Sequence, residues 1–101
     1  MESININLKE DTKNIYLFSL IKKKKFTDFF NLIKNNQMDL DIYDKNYNYI
    51  IHYLIIFNQI EIIEYILKNE KIRIDVQDID GRNILFNIIK YNYLEVLNLI
   101  I

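Results

Sequence analysis

Cysteine, proline, tryptophan and alanine are all missing from the 101 residues, and glycine and histidine occur once each. Without cysteine there is no disulfide framework, no thiolate metal site and no cysteine nucleophile. The zero count agrees with a reducing, intracellular location, cytoplasmic or nuclear. A single glycine cannot build a Gly-rich phosphate loop. A single histidine, His52, provides no two-histidine metal site and no histidine-based triad set. Long apolar runs are also lacking. The longest, Tyr49 to Phe57, is interrupted by His52 and falls far short of the ~20 residues that cross a bilayer. The N-terminus, Met1-Glu2-Ser3-Ile4-Asn5, has neither the basic start nor the unbroken apolar core of a signal peptide. No membrane partner is expected.

What is present points to one folded domain. Half the residues are hydrophobic, 27% are charged and the net charge is −1, which excludes a disordered tail and suits a chain long enough for one core. Ile occurs 22 times, Asn 14 and Lys 11; with Tyr, these share AT-rich codons, so the source has an AT-rich genome. Charge is uneven. Residues 1–34 hold seven Lys and four acids, whereas residues 35–101 hold six basic and ten acidic residues. The basic excess is concentrated in Lys22-Lys23-Lys24-Lys25.

The chain repeats itself, which is the first thing to seek in such a sequence. Moved by 34 positions, residues 41–67 fall on 75–101 with polar and apolar positions in phase. Asp44 meets Asp78, Ile50-Ile51 meets Ile84-Leu85, Asn58 meets Asn92, Glu61 meets Glu95, and Ile62-Ile63 meets Val96-Leu97. A fainter copy lies upstream at an offset of 33, where Leu17-Phe18 precedes Ile50-Ile51 and Asp28 precedes Glu61. Each unit is a polar turn (Asp44 to Asn48, Asp78 to Arg82), an apolar stretch, an Asn and a second apolar stretch. Ile63, Ile66 and Leu67 share one helical face, with Glu61, Glu64 and Lys68 mostly opposite. Ile and Tyr also favour strands, but charges recur every three to four residues, so the spacing predicts helices. Asn58 and Asn92 fall where two antiparallel helices need a left-handed residue, a conformation Asn tolerates better than any residue but Gly.

On these residues the chain resembles the ankyrin repeats over roughly residues 14–101. The second unit carries Asp44, Ile51, His52, Asn58 in place of Gly, Glu61, Ile62, Ile63, Ile66 and Leu67. The third carries Asp78, Gly81, Leu85, Asn92 in place of Gly, Glu95, Val96, Leu97, Ile100 and Ile101. It departs from the family at the paired Ala, here Leu54-Ile55 and Ile88-Ile89, which sets the first helices further apart. Tyr47 also stands where Gly is usual, on a turn that favours positive φ. The resemblance implies an all-α repeat solenoid of helix-turn-helix units joined by turn or hairpin-like loops. Its divisions are a cap or leader over 1–13, a divergent first repeat over 14–43, a second over 44–77 and a truncated third over 78–101. It implies an interaction module without catalysis, of the divergent Ile/Asn/Lys-rich kind found in large DNA viruses and AT-rich protists. Such a module would be the adaptor part of a larger protein, working in the host cell if viral.

Each candidate residue has a structural role beside a functional one. His52, at the start of a first helix, should bond backbone in the adjoining turn. Asp44 and Asp78 should cap their turns through side-chain oxygens, and Asn58, Gly81 and Asn92 serve backbone geometry. Asp75, Asp78, Asp80 and Gly81 hint at a calcium loop, but the spacing fails and position twelve is Asn87. No metal, cofactor or catalytic residue is assigned. The resemblance places Lys45, Asn46, Asn48, Ile79, Asp80 and Arg82 at the turn tips, and Ile56, Phe57, Lys90 and Tyr91 near the first-helix ends, all on one partner-binding side. Ile56, Phe57, Ile79 and Tyr91 are then apolar where water is expected.

The expected partner is another protein. A self-associating structural module is the alternative, since the third unit ends Leu97-Asn98-Leu99-Ile100-Ile101 without a polar cap, and the chain is expected to continue or to be covered there. A nucleic-acid accessory using Lys22 to Lys25 is the weaker alternative, because the basic run lacks interleaved aromatics.

Overall fold

The computed structural model describes residues 2–70 and 72–101, with side chains from residue 12 onward. Six helices are present among these residues: α1 Glu2–Lys22, α2 Phe26–Asn35, α3 Ile50–Ile56, α4 Ile60–Asn69, α5 Ile84–Tyr91 and α6 Leu94–Ile100. No strand forms among them; the one ladder element is an isolated antiparallel bridge between Tyr43 and Tyr49. The chain forms two compact units, one up to Met38 and one from Asp39 to Ile101. Of the leader assigned to 1–13, residue 1 and the side chains up to residue 11 lie outside the described residues, and α1 runs unbroken through the 13/14 boundary.

Three turns with one design reverse the chain between paired helices. Asn58 (φ 54) and Asn92 (φ 57) are left-handed. Asn58 N–H donates to Ile55 O at 3.0 Å and Gln59 N–H to Leu54 O at 2.9 Å; Asn92 and Tyr93 make the same bonds to Ile89 and Ile88 at 3.2 and 3.0 Å. In the first unit Lys24 takes the left-handed position (φ 60), with Lys24 N–H on Ile21 O and Lys25 N–H on Leu20 O. The backbone turn thus recurs at 34 throughout, which corrects the offset of 33 for the first unit. The side chains of α2 do keep 33: Phe29 and Ile33 are buried as Ile62 and Ile66 are, and Asp28 supplies the first-turn acid that Glu61 supplies in α4. Relative to its turn, the α2 pattern is therefore shifted by one residue, a rotation of about 100°.

Asn also closes the second helices. Asn35 and Asn36 Nδ2 donate to Asn31 O and Leu32 O at 2.8 and 2.9 Å, and Asn69 Nδ2 to Tyr65 O at 3.0 Å. Each satisfies a terminal carbonyl that the helix leaves open.

In the first unit α1 packs on α2, with Leu20, Ile21, Phe29 and Ile33 buried. In the second unit α3 packs on α5 and α4 on α6, while each first helix also packs on its own second helix. Ile50, Ile51, Leu54, Ile55, Ile63 and Ile66 are at most 1% exposed. The bulky Leu54-Ile55 pair is accommodated entirely inside. Its counterpart is split, with Ile88 buried and Ile89 72% exposed.

A β-branched residue is a poor occupant of left-handed backbone. Asn58→Val should therefore lower the unfolding free energy by about 1–2 kcal/mol, read from the urea midpoint. An unchanged midpoint would show that the turn does not require the conformation.

Candidate interaction surface

The loops entering α3 and α5 are built alike. Asp44 N–H donates to Asn48 O and Tyr47 N–H to Asp44 O; Asp78, Arg82 and Gly81 repeat the pair 34 residues later. Asp44 Oδ1 accepts from Asn46 N–H and Asn48 N–H at 2.9 and 3.1 Å. Asp78 Oδ1 accepts from Asp80 N–H and Arg82 N–H at 2.9 and 3.0 Å. The left-handed corner is Gly81 (φ 76) in one loop and Tyr47 (φ 62) in the other. A Cβ at Gly81 would meet nothing, so φ alone favours glycine there.

His52 is 1% exposed and ties α3 to the segment that leads into the third repeat. Tyr49 N–H donates to Nδ1 at 3.0 Å, which leaves the proton on Nε2 to be donated to Val76 O at 3.1 Å. The ring thereby caps α3. At 86 the corresponding residue is Phe, and α5 is capped by Asn83 Oδ1, accepting from Leu85 and Phe86 N–H at 3.0 and 3.4 Å. Burial pushes the His52 pKa below its ordinary 6.5, partly opposed by the Val76 carbonyl, the Asp78 charge and the Arg82 backbone.

Beside it, Tyr53 O–H donates to Asp44 Oδ2 and accepts from Asn48 Nδ2 at 3.4 Å. Burial and the Asp44 bond push the Tyr53 hydroxyl up to about 12. Asn48, placed at the partner-binding side by the sequence, is half-buried and faces this internal cluster.

Two more of those residues are less exposed than the sequence suggests: Ile56 and Phe57 are half-buried. The Tyr93 hydroxyl reaches back to donate to Ile56 O at 3.2 Å. Ile79 (65% exposed) and Tyr91 (44%) do face solvent, as do Lys45, Asn46, Asp80, Arg82 and Lys90.

Four of the exposed residues join a continuous strip. Arg82 Nη2 lies 3.7 Å from Asp80 Oδ2, and its guanidinium covers the Phe86 ring at 4.7 Å. Lys90 Nζ lies 6.0 Å from the same ring and 5.4 Å from Tyr91. Tyr91 stacks on Tyr93 at 5.5 Å. Lys45 and Asn46 occupy the other turn, where Tyr43 and Tyr47, each 53% exposed, stack at 5.6 Å, and Tyr49 tilts against Tyr43 at 5.2 Å. Arg73 covers Tyr49 and pairs with Asp41 at 2.8 Å.

Phe86 and the Tyr43–Tyr47 stack were missed from the sequence. A signal was visible only for the neighbouring pair: a turn over 44–48 sets Tyr43 opposite Tyr49. Among the described residues no group of three or more His, Cys, Asp or Glu stands close enough to hold a metal. No described helix is long and apolar enough to cross a membrane.

A histidine with a lowered native pKa is protonated in the unfolded chain first, so stability is complete above about 6.5 and declines as pH falls below it. Urea unfolding at about pH 7.5 and about pH 5.5 brackets this only histidine and stays above the usual carboxylate range. Stability should be lower at the acid end, and His52→Gln should remove most of the difference. An equal loss in that variant would place the effect elsewhere.

No curated protein and no solved structure matches the chain. A family model for ankyrin repeats in three copies matches residues 17–101. That span takes in all three left-handed turns, both Asp-closed loops and the His52–Val76 tie; the chain belongs to the ankyrin-repeat family.

Proposed function

We propose that the chain is a non-catalytic protein-binding module, the adaptor part of a larger intracellular protein from an AT-rich genome, in keeping with the divergent ankyrins of large DNA viruses and protists. Ankyrin repeats are in general protein-interaction modules and typically lack catalysis. The observation that carries the reading here is the Asp80–Arg82–Phe86–Lys90–Tyr91 strip. Aromatics and arginine are the side chains that most often anchor interfaces, and here they stand exposed and pre-ordered by mutual contact. Pre-ordering lowers the entropy lost on binding. The Tyr43–Tyr47 stack adds a second aromatic platform on the neighbouring turn.

A second reading, self-association, is favoured by the outer face of α5. Ile51, His52 and Ile55 of α3 are at most 1% exposed, whereas Leu85, Phe86 and Ile89, 34 residues on, are 40%, 42% and 72% exposed. A second copy covering that face would give a mass that rises with concentration in sedimentation, and Ile89→Lys would abolish the rise. A monomer at all concentrations would remove this reading.

For the first reading, extract from the source cells is passed over immobilised wild-type chain and over Arg82→Ala/Tyr91→Ser. A partner held through the strip should be retained at least roughly tenfold more weakly by the variant, as expected where two anchors are lost. Circular dichroism of the variant should be unchanged, because both residues are exposed. Equal retention by both chains would refute the strip as the binding surface.

A further inference from the structure

The first unit carries a surface that the reading above does not use. All four lysines from Lys22 to Lys25 are exposed, and no carboxylate among the described residues pairs with Lys23 or Lys25. Lys24 occupies the left-handed turn position that Asn58 and Asn92 occupy in the other repeats. Asn suits that backbone better than lysine does, so the cationic side chain is held at the turn at a cost in backbone preference.

The same helix presents apolar anchors in line with these charges. At 100° per residue, Ile15, Tyr16, Ser19 and Lys22 share an arc of about 120° on α1, and Lys23 follows directly at its end. The opposite arc holds Leu17, Phe18, Leu20 and Ile21, each at most 6% exposed. Ile15 is 70% exposed and Tyr16 52%, about 10 Å along the helix from Lys22. A cationic cluster beside an exposed aliphatic residue and an exposed tyrosine matches the chemistry of a bilayer interface. There phosphates face the ammonium groups and the headgroup boundary accepts Ile and Tyr.

We propose that the outer arc of α1 and the Lys22–Lys25 turn form a docking surface for an anionic phospholipid bilayer. The sequence offered no membrane partner because it holds no spanning segment; contact in the plane of the headgroups does not need one. Two features favour lipid over other polyanions. Residues 1–38 contain no arginine, so the bidentate fork that reads phosphopeptides and bases is missing. Tyr16 is the one exposed aromatic on the arc, whereas strand binding uses a series of stacking faces. Flexible lysines acting as point charges suit a diffuse sheet of headgroups.

The test is co-sedimentation of the 101-residue chain with vesicles of phosphatidylcholine alone or of an equal mixture with phosphatidylserine. Binding should require phosphatidylserine and be reversed by high salt. Changing Lys22, Lys23 and Lys25 to Gln together with Lys24→Asn should weaken it by roughly a hundredfold or more, and Lys24→Asn alone by roughly fivefold. The single variant should also raise the urea midpoint, because Asn relieves the turn. Ile15→Ser/Tyr16→Ser should weaken vesicle binding without altering its salt dependence. The proposal is overturned if phosphatidylserine gives no advantage over phosphatidylcholine. It is equally overturned if Lys24→Asn stabilises the fold with no loss of vesicle binding. Salt-sensitive capture of a single-stranded oligonucleotide with no vesicle binding would assign the lysines to nucleic acid instead.

Discussion

The constraint on which the rest depends is the length of the helices. From α2 onward each has only seven to ten residues, and isolated helices of that length are not stable in water. Each must be held by a neighbour, and the nearest neighbour is the next helix in the chain. The reversal has to be made within two or three residues, and a left-handed residue makes it. Lys24, Asn58 and Asn92 send the chain back so that paired apolar faces meet, and the isoleucines then bury themselves against one another. If that reversal failed, the apolar faces of α3 and α4 would have no partner within reach.

Between repeats the fold relies on a second device. The loop before α5 has no strand ladder of its own, and it receives a hydrogen bond from a buried ring instead. His52 accepts from its own helix start and donates to Val76, so one side chain both starts α3 and fastens the following loop. α5 starts with Asn83, an ordinary side-chain cap. The two solutions show that capping and fastening are separable tasks, combined only where the next loop lies within reach of the ring.

Much of this was legible from residue spacing. The 34-residue phase places Asn58 and Asn92 at the helix reversals, and each is left-handed. Asp44 and Asp78 fall at the starts of matching loops, and each closes its loop through a side-chain oxygen. The sequence was less informative where a contact depends on a residue distant in the chain. Nothing near Ile56 announces that the Tyr93 hydroxyl will bond its carbonyl from 37 positions away. Asn48 reads as a polar tip residue, yet Tyr53, five positions on, draws it inward. Lys24 was hidden in a run of four lysines, where composition draws attention to charge and away from backbone geometry. Tyr43 and Tyr47 were overlooked for the opposite reason, since tyrosine in an isoleucine-rich chain reads as core. The partner-binding role proposed for the strip is not written in spacing at all, because it depends on the chemistry of another molecule.

The His52 tie also governs how the protein comes apart. In a repeat array, stability is the sum of what each repeat contributes and what each junction adds. The junction between the second and third repeats carries the Tyr93–Ile56 hydrogen bond in addition to apolar packing, and the His52–Val76 bond fixes the segment that leads into it. The outer face of the third repeat leaves Ile89 72% exposed. In the 101-residue chain by itself, amide protons of α5 and α6 are held chiefly through one neighbour, and those of α3 and α4 through their own packing as well. Exchange with solvent then forms a gradient from α6 toward α3, and the imidazole of His52 stands at the boundary between local fraying and cooperative unfolding.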